Sequence, residues 1–177
     1  RAFLTGRMGW DAMSALLIIS GAFGLFRRSV VIEAGGFARD TVGEDMELIV
    51  RLHRFCREKK RPYRIAFVPD PVAWTECPEK LSGLARQRDR WQRGLVDSLL
   101  RHIRMLGNPG YGAPGLIAFP YYFFLEMLGP VVELFGYVAF VAALIGGRVS
   151  AAYVAAFALL AFGFGMALSI AAVSLEE

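Results

Sequence analysis

Cysteine is nearly absent from these 177 residues: Cys56 and Cys77 have neither metal-ligand spacing nor the density of a disulfide framework, which suits a reducing compartment. Histidine is as scarce. His53 and His102 have no Cys or carboxylate at ligand spacing, so no metal ligand is expected within this chain. Lysine occurs three times against seventeen arginines, a bias toward planar, bidentate recognition of phosphate or carboxylate. Charge itself is missing from one region. Residues 116–175 carry only Glu126, Glu133 and Arg148, whereas residues 1–115 carry nineteen basic and twelve acidic side chains, a net +7. A basic, water-exposed part is thus set apart from a part built for lipid. No repeat or low-complexity segment occurs. The sequence opens on Arg1 with no signal peptide ahead of it, so a fragment lacking its N-terminal part is expected.

The run ALLIISGAFGLF, residues 15–26, is too short to span a bilayer, which takes roughly 20 apolar residues. It is expected as a buried strand, with Gly21 and Gly24 admitting a bulge or a close ligand. In RRSVVIEAGGF, Ser29 is expected to cap a short helix that Gly35 and Gly36 end. TVGEDMELIVRLHRFCREKK predicts a longer helix opened by Gly43. Asp45, Leu48, Ile49, Leu52 and Cys56 share one face, and Glu47, Arg51, Arg54 and Glu58 share another. YRIAFVPD alternates as a strand does.

Residues 79–106 return to a helical pattern. Leu81, Leu84, Arg88, Trp91, Leu95, Leu99 and His102 form one stripe, while Arg86, Arg90, Arg93, Asp97, Arg101 and Arg104 form the other side. Such a helix suits a membrane interface. GNPGYGAPG, residues 107–115, is expected as a linker. Residues 116–147 exceed one straight span and predict an interfacial and transmembrane helix kinked at Pro120 and Pro130. Glu126, Gly129, Glu133 and Gly136 fall on one face of it, which implies helix packing or a polar cavity. After the turn GGRVS, uncharged residues 149–173 predict a second transmembrane helix. The basic flank, with Arg101 and Arg104, places the first part in the cytoplasm of a multi-pass inner (plasma) membrane protein.

Three motifs stand in order: SGAFGLFRRSVVIEAGGF, then GED, then QRDRW about forty residues later, all ahead of the apolar segments. Together they resemble the C-terminal half of the catalytic domain of membrane-bound family 2 glycosyltransferases, the group of the cellulose, hyaluronan and poly-N-acetylglucosamine synthases. The resemblance covers roughly residues 15–95. It implies an α/β fold: the C-terminal part of a GT-A domain in residues 1–78, an interfacial amphipathic helix over 79–106, the linker, and two transmembrane α-helices. It also implies an inverting transfer from a UDP-sugar to a glycan or lipid-linked acceptor, in exopolysaccharide or cell-envelope synthesis.

Site roles follow from the same resemblance. Asp45, beside Glu44, is the expected general base for the acceptor hydroxyl, since inversion needs a carboxylate on the face opposite the leaving group. By themselves both acids equally fit a helix's first turn, where the dipole favours them. Gln87 and Arg90 are expected at the donor pyrophosphate, where an arginine fork stabilises the leaving diphosphate. Trp91 is expected to stack on the acceptor sugar. Ser20 and Gly21 align with the small-residue acceptor segment, and packing within a strand explains Gly21 as well. The family's uridine-binding aspartates and its metal-binding Asp-x-Asp do not occur in this sequence. A divalent cation, Mg or Mn, is therefore expected to have its ligands outside the fragment, which is not expected to turn over alone. The competing class is a non-enzymatic membrane module whose basic helix binds anionic lipid or a partner subunit. Nucleic acid is not an expected partner, as no aromatic-interleaved sheet or recognition helix occurs.

Overall fold

The computed structural model describes residues 2–19, 21–70, 76 and 78–174. Among them the elements are helical and no β-strand forms. The elements are α1 (Ala2–Ala12), α2 (Arg28–Glu33), α3 (Glu44–Glu58), α4 (Leu81–Arg101), α5 (Phe119–Tyr121), α6 (Gly129–Ile145), α7 (Ala151–Ala158) and α8 (Gly165–Ser174), with short 3-10 and π turns between them. The chain divides into two compact units, residues 7–127 and residues 128–174 with 2–6.

In the first unit the core gathers around α3. Gly43 caps its N-terminus, Glu44, Asp45 and Glu47 occupy the first turn and Arg57 the last, so both ends complement the helix dipole. Leu48, Ile49, Leu52 and Cys56 are buried as their shared face predicts, as are Ala15, Leu16 and Leu17 and Leu95 and Leu99 of α4, the helix that packs on α3. Each such fully buried aliphatic contributes roughly 1.5–3 kcal/mol.

Neither expected strand forms a ladder, and Gly21–Phe23 within the first run form a 3-10 turn. Ala15, Leu16 and Leu17 are buried, and in the second run Tyr63, Ile65 and Phe67 are half-buried while Arg64, Ala66 and Val68 are exposed. The period-2 alternation is present, but no described segment lies alongside to take the ladder hydrogen bonds. Helix α2 begins at Arg28 with Arg27 at its cap, so Ser29 lies inside it rather than capping it; Gly35 and Gly36 do end it, at φ of 100° and 74°. Residues 107–115, expected as a linker, form a packed corner. Tyr111 is buried there and donates to Glu58 Oε1 at 3.0 Å, and the Gly107 amide donates to the Gly115 carbonyl at 3.0 Å.

A helix of 32 residues, Pro114–Ile145, is long and apolar enough to cross a membrane. At 1.5 Å per residue it spans about 48 Å, more than the roughly 30 Å hydrocarbon core. Pro120 lacks an amide proton and crowds the preceding turn, and π turns flank it at Pro114–Ala118 and Tyr122–Met127. Pro130 sits in the first turn of α6, where its ring displaces no hydrogen bond. In the second unit Gly147, at φ 64°, turns the chain, and the Ser150 hydroxyl caps α7 through the Tyr153 amide. Glu133 and Gly136 line an open, mostly apolar groove with Tyr137, Arg148 and Tyr153, and Phe140 stacks on Phe157 of α7 at 4.4 Å, so this part of the acidic, small-residue face serves helix packing.

His53 sets a pH limit on the first unit. The Leu16 carbonyl can only accept, so Nε2 carries the proton and donates to it at 2.9 Å; Nδ1 then accepts from the Tyr63 hydroxyl at 2.7 Å. Burial pushes the ring down to about 4 from 6.5. The unfolded chain binds a proton near pH 6.5 that the folded protein refuses until about pH 4, so this contribution to stability is complete above pH 6.5. It is lost as pH falls toward 4, by about 3 kcal/mol in total. Thermal unfolding in detergent should therefore show Tm dropping across that window. His53→Gln, which cannot titrate, should remove most of the drop, and an unchanged profile would refute the assignment.

Candidate active site

Helix α4 and the loop leading into α3 run alongside each other in opposite directions. At one end Arg101 donates from Nη1 to Asp40 Oδ2 at 2.9 Å, from Nη2 to the Asp40 carbonyl at 3.1 Å, and from Nε to Asp97 Oδ2 at 2.9 Å. One turn back along α4, Asp97 takes the Thr41 hydroxyl, whose oxygen in turn accepts the Gly43 amide at 3.2 Å. Burial raises the Asp97 carboxyl, but the Thr41 hydroxyl and Arg101 outweigh it and hold the group below the usual carboxylate value. One turn further back Gly94 meets Gly43 backbone to backbone. A Cβ built on Gly43 would stand 2.7 Å from Gly94 Cα, and one on Gly94 would stand 2.9 Å from Gly43 Cα.

This register leads to the expected site. Asp45 is half-buried in the first turn of α3 with Oδ1 accepting its neighbour's amide, Met46 N, at 2.8 Å, and Glu44 beside it is exposed. Gly21 stands directly against it: a Cβ there would lie 2.7 Å from Asp45 Oδ2. Ser20 lies outside the described residues. Gln87 is half-buried, Arg90 is exposed and Trp91 is 56% exposed, all on the turns of α4 that precede Gly94. The structure thus brings Gly21 onto Asp45 and docks the GED loop on the QRDRW helix. Among the described residues it forms no hydrogen bond or ion pair between Asp45 and Gln87, Arg90 or Trp91. The apolar stripe of α4 is divided likewise: Leu95, Leu99 and His102 are buried, while Leu81 is 84% exposed and Leu84 and Trp91 also face outward.

A buried network braces α3 from behind. Glu47, 4% exposed rather than on a solvent face, accepts from Arg51 at 2.9 Å and from His102 Nε2 at 3.0 Å. Arg54 donates to His102 Nδ1 at 2.8 Å; an arginine cannot accept, so His102 holds its proton on Nε2. Burial pushes the Glu47 carboxyl up, but the His102 and Arg51 bonds prevail and leave it below the ordinary value. Arg51 also donates to the carbonyls of Ala34 and Gly36, tying down the end of α2. Arg101 and Arg104, expected on the cytoplasmic flank, pair with Asp40 and Asp97 and with Glu58 respectively.

Sequence inspection passed over Arg7 and Gly94. Burial lowers the Arg7 guanidinium, and Tyr122 and then the Asp45 carboxylate oppose that shift, so Arg7 lies within electrostatic reach of Asp45. Gly94 did carry a signal: a glycine inside a helix costs about 1 kcal/mol against alanine, so a close backbone approach was there to be inferred. No group of three His, Cys, Asp or Glu that could hold a metal ion occurs among the described residues. Asp45 and Glu44 alone do not provide a cation site.

Comparison with known proteins settles the family. The model of glycosyl transferase family group 2 matches residues 3–169. The chain belongs to that family. Among its relatives are the poly-beta-1,6-N-acetyl-D-glucosamine synthases of Staphylococcus aureus strain COL, 39% identical over 87 residues, and of Staphylococcus epidermidis, 36% identical over 87 residues. In both cases the match covers 49% of this chain and 20% of the relative, so the chain spans about a fifth of the curated relatives it matches. No solved structure matches. For a family 2 glycosyltransferase, the contact of Gly21 with Asp45 is a sensitive point. In the full-length enzyme Gly21→Ala should displace the Asp45 carboxylate and cut sugar transfer by roughly tenfold or more. Tm should move by less than about 3 °C. Transfer at the wild-type rate would show that the two residues do not share a site.

Proposed function

We propose that this chain supplies the acceptor-side part of the catalytic domain, and the adjoining membrane helices, of an inverting glycosyltransferase. It moves a sugar from a UDP-sugar to a growing glycan or lipid-linked acceptor in exopolysaccharide or cell-envelope synthesis. One observation carries the proposal: the acceptor-segment glycine, the GED carboxylate and the QRDRW helix converge at the N-terminus of α3, through Gly21 on Asp45 and Gly43 on Gly94.

In this mechanism Asp45 takes the proton of the acceptor hydroxyl as its oxygen attacks the anomeric carbon. The bond from that carbon to the diphosphate breaks on the opposite face, and the configuration inverts. Glu44 adds negative charge beside the base. Gln87 and Arg90 hold the diphosphate and stabilise the charge it gains. Trp91, exposed as a stacking face requires, takes the acceptor sugar, with Ser20 and Gly21 along its path. A Mg or Mn ion belongs to the whole enzyme, on ligands outside this chain. The helix Pro114–Ile145 and the apolar helical residues 151–174 serve as two membrane spans, and the arginine-rich part faces the cytoplasm. The exposed Leu81, Leu84 and Trp91 with their flanking arginines suit the lipid interface, so anionic lipid is a partner of the same helix.

The test uses membranes containing the full-length enzyme and a panel of UDP-sugars. UDP-N-acetylglucosamine is the first to try, given the names of the relatives. Asp45→Asn should lower kcat by about 10²-fold or more, and Arg90→Ala should lower kcat/KM for the donor to a similar degree. Near-wild-type transfer by both variants would overturn the assigned roles. The alternative of a non-enzymatic module requires that no donor in the panel be consumed.

A further inference from the structure

The contacts along α4 form a graded series. Asp40 is held at Arg101, Thr41 at Asp97 and Gly43 at Gly94, so moving forward through the loop moves backward along the helix. The next turn in that direction carries Arg90 and Trp91, and the next loop residues are Glu44 and Asp45. The gap between the base and the diphosphate-binding side chains is thus fixed by where the loop is pinned. Only one of these pins is a charged fork. Arg101 spends Nε on Asp97, Nη1 on the Asp40 side chain and Nη2 on the Asp40 carbonyl, gripping loop side chain and backbone together.

Building on the transfer reaction above, we propose that Arg101, with Asp40 and Asp97, is a positioning residue of this glycosyltransferase. It touches neither donor nor acceptor. It sets the distance between Asp45 on the loop-to-α3 junction and Gln87 and Arg90 on α4. Two further facts favour positioning over simple stabilisation. Exposed ion pairs of this kind add little to stability, typically about 0.2–1 kcal/mol. The unit already has its own brace in the buried Glu47–His102–Arg54 chain and in the α3–α4 core. Three aligned donors on one surface arginine are therefore better explained by geometry than by folding energy.

The positions of the groups predict which kinetic constant moves. Gln87 and Arg90 lie on the same continuous helix as Arg101 and stay where they are when the fork is removed. Only the loop carrying Asp45 is released. In the full-length enzyme in membranes, Arg101→Ala should lower kcat roughly tenfold or more while donor KM changes less than about twofold, since misplacement by about 1 Å can cost up to 10²-fold. Asp40→Ala should give a similar loss, and the double variant should lose no more than the worse single variant. Arg101→Lys, which keeps the charge but not the fork, should recover only part of kcat. Tm should stay within about 3 °C of wild type in all of these.

Three results would overturn the inference: kcat of Arg101→Ala within twofold of wild type, losses that multiply in the double variant, or a fall in Tm that accounts for the lost activity. Asp45→Asn run alongside separates the two levels. If it abolishes transfer while Arg101→Ala does not affect kcat, positioning alone fails and the proposed function stands. If Asp45→Asn transfers normally, there is no base to position and both fail.

Discussion

Two glycines in van der Waals contact determine how close α3 and α4 can come. Gly43 and Gly94 meet through their backbones, and no other residue type fits at either position without separating the helices. The GED loop can lie along α4 only because of this contact, and the pins on either side of it then have a fixed register. Gly43 caps α3 as well, so the same residue that permits the approach also starts the helix bearing Asp45. Glycine carries a propensity cost inside α4, and the backbone approach of the GED loop is what that glycine permits.

Around this contact the charges divide their tasks by depth. The inner set, Glu47, His102, Arg54 and Arg51, is shielded from water and joins α2, α3 and α4 with directional hydrogen bonds. Removing one member would strand a buried polar group, which is costly. The outer set, Asp40, Arg101 and Asp97, is wet and energetically cheap. The buried set holds the first unit together, and the exposed set fixes the register of the GED loop on α4.

Much of this was legible in the sequence where a local pattern decided the outcome. The span of α3, its buried face, the basic half of α4, the long apolar helix and the turn at residues 146–150 all follow from periodicity, glycine and charge. The runs 15–26 and 63–70 have the composition of strands but form none among the described residues, because a strand exists only with a neighbour: alternation fixes which side chains are buried and cannot supply a ladder. Ser29 was misplaced by one turn's worth of ambiguity at a helix start. The burial of Glu47 is not visible in its helix face, because its partner His102 lies fifty-five residues away. GED and QRDRW stand out in the sequence as motifs, whereas Gly94 and Arg101, which hold the GED loop against α4, read there as ordinary residues of an amphipathic helix.

The fixed proton on His102 limits what the buried network can conduct. Arg54 never accepts a proton and Glu47 receives one only as a hydrogen bond, so each hydrogen in that chain has a single owner. A relay needs members that can both take and pass on a proton, and this line has a blocked end. The Glu47–His102–Arg54 line therefore fixes how α3 sits on α4 and carries no proton onward through Arg54.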